Sequence, residues 1–278
     1  NDDIIGHFGL GFYSAFMVAE KVEIDSLSMN PGSTPTKWIC SGETDYEFSE
    51  SDKNEVGTRI TLFIGQDGEE FLNKWKLQET LNQYCDFMPY PISLWDLEEK
   101  DAKETIINEA KPLWKQDPTQ LKDEDYKEFY RKMFPMDPEP LFWLHLNVDH
   151  PFTLQGILFF PKLNQNKPLQ ENGIKLYSKQ VFVSDNVKNI VPDFLGLLKG
   201  AIDSVDIPLN VSRSALQGDP NVKKISNYII KKVSESLKKL FNNDRTRYEN
   251  VWEDIGLFVK YGCMQDEKFD EVMRKYVL

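Results

Sequence analysis

The sequence predicts an α/β protein of two domains. Three observations carry that expectation: alternating β-branched runs such as GTRITLFI (57–64) interleave with helical patterns, composition breaks sharply at Asp96–Glu109, and the chain has 278 residues. A chain of that length usually divides its apolar residues between more than one core. Hydrophobic residues make up 40% of the chain and aromatics 13%, enough to fill two cores.

The first domain is expected over 1–95. Gly6 to Gly11 reads as a flexible turn, Phe12 to Glu20 as a helix, and Lys21 to Met29 as a strand. Asn30-Pro31-Gly32 is a turn, and Thr36 to Cys40 alternates toward a second strand. Gly57 to Ile64 alternates as a half-buried strand does. A helix from Glu70 to about Phe87 and the extended Pro89-Tyr90-Pro91-Ile92 follow. Residues 96–105 form a short charged linker within a solvated stretch.

The second domain is expected from about Ile106 to 247, with a further helical unit starting at 248–278. DEDYKEFYRKM (123–133) reads as a helix with aromatics on one face, and Leu141 to Val148, Leu154 to Phe160 and Lys175 to Val183 read as strands. Asp185 is placed to cap a helix running through Ile190, Phe194, Leu198 and Ile202. Asp206 to Asn210 is extended, and Val211 to Gln217 is polar. Asp219-Pro220 is an N-cap followed by a proline at the first helical position. The helix it opens places Val222, Ile225, Ile229, Val233, Leu237 and Leu240 on one stripe. Its lysine pairs read as a solvated face.

Charge excludes some functions. With 33 Lys and Arg against 45 Asp and Glu the net charge is −12, which disfavours a non-specific nucleic-acid binder. No apolar run is long enough to span a membrane. Three cysteines (Cys40, Cys85, Cys263) and three histidines give neither a disulfide framework nor zinc spacing, so no metal ligand is assigned and a reducing cytoplasm is the expected compartment. The chain opens at Asn1-Asp2 without Met and closes inside an amphipathic pattern, and it reads as an interior fragment.

Three segments can carry chemistry. Gly6-His7-Phe8-Gly9-Leu10-Gly11-Phe12 feeds a helix start, where backbone N–H groups converge on an anion such as phosphate; the same pattern also serves as a tight turn with close packing. Thr58, at the opening of GTRITLFI, can present a hydroxyl to a base or a water, or act simply as a β-former. Finally, DIPLNVSRSALQ (206–217) delivers Asn210, Arg213 and Gln217 within eight residues. A guanidinium and an amide four residues apart on a helix can hold a phosphoryl group and orient a water. Alternatively Arg213 pairs with Asp203 or Asp206.

Taken together, IGHFGLGFYSAFMVAEKV (5–22), GTRITLFI (57–64), QYCDFMPYPI (83–92), PLWKQDPTQLKDEDYKEFY (112–130), GILFFPK (156–162) and the long block 175–217 resemble the ninety-kilodalton heat-shock chaperone family over nearly the whole chain. The resemblance implies the end of a gyrase/histidine-kinase-type ATPase sandwich, then an α/β middle domain and the start of its helical part. It implies an ATP-dependent, dimeric chaperone of unfolded clients in the cytoplasm, acting on neither nucleic acid nor membrane. Gly9, Leu10, Gly11 and Phe12 match positions whose backbone holds the ATP phosphates, and Thr58 the residue near the adenine. His7 stands where the family usually has Gln. Arg213 matches the arginine that meets the γ-phosphate when the domains dock, with Asn210 and Gln217 beside it. The family's catalytic Glu, adenine-binding Asp and magnesium-binding Asn fall upstream of Asn1, and its dimerisation domain beyond Leu278, so the fragment alone is expected to be inactive. Client contacts are sought among Trp114, Phe142, Trp143 and Phe152, each of which is more simply a core residue. Two alternatives are a DNA-acting ATPase of the gyrase or mismatch-repair type, and a non-catalytic docking module.

Overall fold

The computed structural model describes residues 10–98, 104–163, 173–187, 190–209 and 219–278. It is a mixed α/β protein whose contacts divide it into two units. The described residues up to Tyr84, with Ile92–Ile107, form unit 1; Cys85–Pro91 and those from Asn108 onward form unit 2. The expected boundary near residue 95 and the observed division therefore differ, because Phe87 packs into the second core while the described residues of 92–107 do not.

Unit 1 opens with a 3-10 helix, Gly11–Met17, and the chain extends into β1 (Ala19–Leu27) two residues after it. The helix anticipated to Glu20 is shorter and tighter, since Ala19 already pairs with Ile64 in the sheet. Strands β2 (Thr36–Cys40), β3 (Tyr46–Glu50) and β4 (Gly57–Ile64) follow, in the antiparallel order β3-β2-β1-β4. All five residues of β3 are exposed, and its only apolar residues, Tyr46 and Phe48, alternate with Glu47 and Ser49 along one face. A second 3-10 helix, Gln66–Leu72, precedes α1 (Lys74–Cys85), whose start is capped by Asn73: its side-chain oxygen accepts from Trp75 N–H (3.0 Å) and Lys76 N–H (3.2 Å). Around the charged stretch, β5 (Ser93–Leu94) pairs antiparallel with β6 (Thr105–Ile106).

Unit 2 is a three-layer sandwich. Helix α2 (Asp123–Met133) opens with three acidic residues and closes on Arg131 and Lys132, complementing the helix dipole. It buries Tyr126, Phe129 and Tyr130, which are three and four residues apart. Strands β7 (Phe142–Val148), β8 (Leu154–Phe160), β9 (Gly173–Ser178), β10 (Val181–Ser184) and β11 (Lys199–Asp203) form a sheet in the order β10-β9-β11-β8-β7, with only β9 and β11 parallel.

Two expectations fail here. The run 175–183 is two strands, not one: Lys179 (φ 52°) and Gln180 (φ 65°) make a two-residue left-handed turn without glycine or asparagine to announce it. The helix drawn through Ile190 to Ile202 is instead a 3-10 turn at Asp193–Leu195 and strand β11. Pro192 and two glycines oppose a helix. A strand buried on both faces also reads as a continuous apolar run, which spacing alone cannot distinguish from a helix.

The sheet's two faces carry separate cores. Ile157, Phe159, Tyr177 and Ala201 face α2, Trp114 and Phe87. On the other face Leu154, Leu158, Ile174, Leu176 and Ile202 meet α3 (Pro220–Asn243), α4 (Arg245–Asn250), α5 (Trp252–Gln265) and α6 (Glu267–Met273). Residues 248–278 thus share this core through Tyr248, Ile255, Val259 and Phe269. The α3 stripe Val222, Ile225, Ile229, Val233 and Leu237 is buried as its spacing predicts, each side chain contributing about 1.5–3 kcal/mol by leaving water. Asp219 caps the helix by accepting from Asn221 N–H at 2.7 Å.

Gly200 sits in the middle of β11 at φ 135°, where a Cβ would run into the carbonyl of Ile157. Gly200→Ala is expected to cost unit 2 about 3 kcal/mol or more, from backbone strain and overpacking together. Urea unfolding followed at Trp114, wholly buried in the native state, measures it.

Candidate functional site

The sheet of unit 1 has two unlike faces. In a strand alternate residues share a face, and directly paired residues face the same way. Val22, Ile24 and Ser26 on β1 therefore share a face with Cys40, Trp38 and Thr36 on β2 and with Leu62, Ile60 and Thr58 on β4. The opposite face carries Glu23 and Asp25, flanked by Lys37 and Arg59.

The 3-10 helix lies against the apolar face. The Phe12 ring meets Trp38 edge-on at 5.8 Å and Phe16 at 6.0 Å, which fixes the segment over β2. Leu10 precedes it, 55% exposed, and among the described residues no side chain caps the first turn. Gly11 has no described atom within 4 Å of where a Cβ would stand, so its backbone stays open to close approach. Thr58 is exposed, and its hydroxyl lies 3.2 Å from that of Ser26 across the strand pair. Leu10, Gly11, Phe12 and Thr58 are thus attached to one side of one sheet, with an uncapped turn and a hydroxyl as their polar groups. Those are the donor types that a nucleotide's phosphates and base require, and in this respect the residues fit ATP. Gly9 lies outside the described residues.

The charged face is an ion-pair ladder rather than a site. Asp25, 1% exposed, accepts from Ser51 Oγ (2.5 Å) and Arg59 Nε (3.2 Å), while Arg59 also reaches Asp52 at 2.6 Å. The Ser51 hydroxyl, helped by Arg59, holds the Asp25 carboxyl below its ordinary value. Lys37 bridges Glu23 (3.2 Å) and Asp25 (3.7 Å).

In unit 2, Asn210, Arg213 and Gln217 fall outside the described residues, but the ends of their loop are described. On the entering side Asp206 accepts from Thr153 N–H (2.6 Å), Ser204 Oγ donates to the Thr153 carbonyl (2.6 Å), and Ile207 is buried. On the leaving side stands the Asp219 cap. Asp203 and Asp206, the carboxylates considered as partners for Arg213, each accept a backbone N–H, from Gln180 and Thr153 respectively. Of the aromatics considered for clients, Trp114, Phe142 and Phe152 are buried and Trp143 is half-buried, stacked on Tyr126 at 4.9 Å. The core reading holds for the three buried rings. Sequence reasoning passed over Gln180, a buried polar side chain; its only signal was a polar residue inside an alternating run.

A four-stranded antiparallel sheet with a 3-10 helix on one face, followed in the chain by a separate mixed-sheet sandwich, defines a two-unit α/β protein. The comparisons agree. The family model described as Hsp90 protein matches residues 96–278. The chain belongs to the Hsp90 family. It is 52% identical over 282 residues to chaperone protein HtpG of Bacteroides thetaiotaomicron, covering 99% of this chain and 41% of that protein. HtpG of Porphyromonas gingivalis is also 52% identical over the same shares, and that of Oceanobacillus iheyensis is 38% identical over 95% of this chain and 45% of its own. The chain therefore spans about two fifths of the length of these relatives. Among the described residues no helix is long and apolar enough to cross a membrane.

The Asp25 ladder makes a pH prediction. A carboxyl whose folded pKa lies below its unfolded value, near 3.8, contributes stability that is fully present above that value and lost as pH falls through the folded one. Unit 1 should therefore weaken on acidification below about pH 4, and Asp25→Asn should flatten that dependence. Urea midpoints of the β1 amides, read by hydrogen exchange at pH 3 and pH 6, check it.

Proposed function

We propose that this chain is the nucleotide-coupled portion of an ATP-dependent molecular chaperone that assists the folding of client proteins. One observation carries the reading: identity of 52% to chaperone protein HtpG runs along 99% of the chain, across both units. In this reading the backbone at Gly9, Leu10, Gly11 and Phe12 holds the phosphates of ATP, and the Thr58 hydroxyl lies near the adenine. Bound ATP supplies the γ-phosphoryl group whose loss to water drives the cycle. The magnesium ligand, the catalytic Glu and the adenine-binding Asp belong to residues upstream of Asn1.

Arg213 reaches the γ-phosphate when the domains dock, and its guanidinium neutralises charge spreading onto the phosphoryl oxygens. Asn210 and Gln217 orient groups beside it. The described loop ends support this role, because a loop tied at Asp206 and Asp219 can deliver a side chain repeatedly to one place. Domain closure, rather than proton transfer, sets the pace. A homodimer of the longer protein and a cytoplasmic location are part of the same proposal.

Two measurements test it. The isolated chain is expected to hydrolyse ATP negligibly; turnover equal to that of the longer protein would contradict the assignment of missing catalytic groups. Arg213→Ala in the longer protein should lower turnover while ATP affinity survives. The loss approaches the roughly 10³-fold typical of arginine fingers, or less where docking limits the rate. Unchanged turnover there returns Arg213 to a structural role.

A further inference from the structure

The chain enters unit 2 at Cys85, leaves after Pro91 and returns at Asn108, and the described residues of 86–91 and 108–112 carry no regular secondary structure. Their backbone groups must find partners elsewhere. Some find them in each other: Glu109 N–H donates to the Asp86 carbonyl at 2.7 Å, and Asn108 Nδ2 donates to the carbonyls of Met88 (2.9 Å) and Tyr90 (2.7 Å). One side chain joins both to the sheet. Gln180 Nε2 donates to the Phe87 carbonyl at 2.7 Å and to the Ala110 carbonyl at 2.9 Å, so each proton of its amide serves a different segment.

Gln180 is itself held firmly. It is 4% exposed, its N–H is accepted by Asp203 Oδ2 at 3.0 Å from the central strand, and its φ of 65° is one that L residues adopt at a cost. Packing alone requires none of this. A methionine fills the same length without a buried amide, so the two donors account for the choice of side chain. The Phe87 ring, set against Trp114 at 4.6 Å and Tyr177 at 5.5 Å, seats the same segment from its other side.

We propose that Gln180 is a positioning residue: a clasp that binds the outgoing and returning segments to the β9–β10 turn and makes them one body with the sheet of unit 2. Asn108 and the Glu109–Asp86 bond tie the two segments to each other, and the Gln180 amide ties both to the sheet.

The test uses the whole chain and two substitutions. Gln180→Met keeps volume and removes both donors; Gln180→Arg keeps donors in a planar fork. Exchange at the Glu109 amide should quicken about tenfold or more in the methionine variant and stay near wild type in the arginine variant, with the β8 amides of Ile157 and Leu158 unchanged in both. Unaltered Glu109 protection in Gln180→Met overturns the clasp. So does equal loss across Glu109 and β8, which marks ordinary destabilisation, and so does an arginine variant as fast as the methionine one. Should Gln180→Met fail to fold, the wild-type chain decides the matter: both Gln180 side-chain amide protons must be protected from solvent exchange, and rapid exchange of either overturns the proposal.

Discussion

Strand β11 is the constraint on which unit 2 depends. It is five residues long and lies between β9 and β8, and its side chains divide the protein: Ala201 enters one core, Ile202 the other. A strand buried on both faces has every backbone group committed to its neighbours, so it tolerates neither register shift nor side-chain growth at Gly200. Its last residue, Asp203, turns inward, and burial pushes that carboxyl above its ordinary value. A buried carboxylate is costly unless hydrogen-bonded, and the N–H of Gln180 answers part of that need.

From that point the chain passes through Ser204 and Asp206, both tied to Thr153, into the segment containing Arg213. The proposed catalytic loop thus follows in sequence from the central strand of the sheet. Rigid supports of this kind let a loop side chain act with precision, because uncertainty in position costs catalysis steeply. Unit 1 is built on the opposite plan. Its sheet satisfies one face with ion pairs, while the other keeps Ile60, Leu62, Phe48 and Tyr46 between 39% and 67% exposed beside the buried Val22 and Cys40.

Much of this was legible. The helix at 123–133, the strand at 154–160 and the stripe of α3 follow from spacing and caps, because each buries one regular face and local preference agrees with tertiary need. What was not legible was decided at a distance. The Lys179–Gln180 turn exists because Asp203, twenty-three residues later, accepts a hydrogen bond from it. Strand β11 exists because β8 and β9 flank it, against an apolar spacing that fits a helix equally well. Strand β3 buries nothing, and sequence reasoning passed over its short alternation of Tyr46 and Phe48 with polar residues. For the site, Thr58 and Phe12 were visible as residue types, but only pairing Thr58 with Ser26, and Phe12 with Trp38, puts them on one face.

The two plans predict unequal stability within one chain, and the tryptophans are distributed so that the inequality can be seen. Trp38, Trp75 and Trp95 belong to unit 1, and of these Trp75 is 78% and Trp95 47% exposed. Trp114, Trp143 and Trp252 belong to unit 2, with Trp114 wholly buried. Emission that shifts on unfolding is therefore dominated by unit 2, whose two cores each bury whole aromatic side chains. Unit 1, with no buried residue in α1 or β4, gives up far less apolar contact when it opens. Unfolding of the chain is then not a single two-state event, and a midpoint taken from fluorescence belongs to the sandwich rather than to the molecule. The sheet of unit 1 can lose its order while that signal stays native, so probes placed on β1 or β4 are needed to report on it.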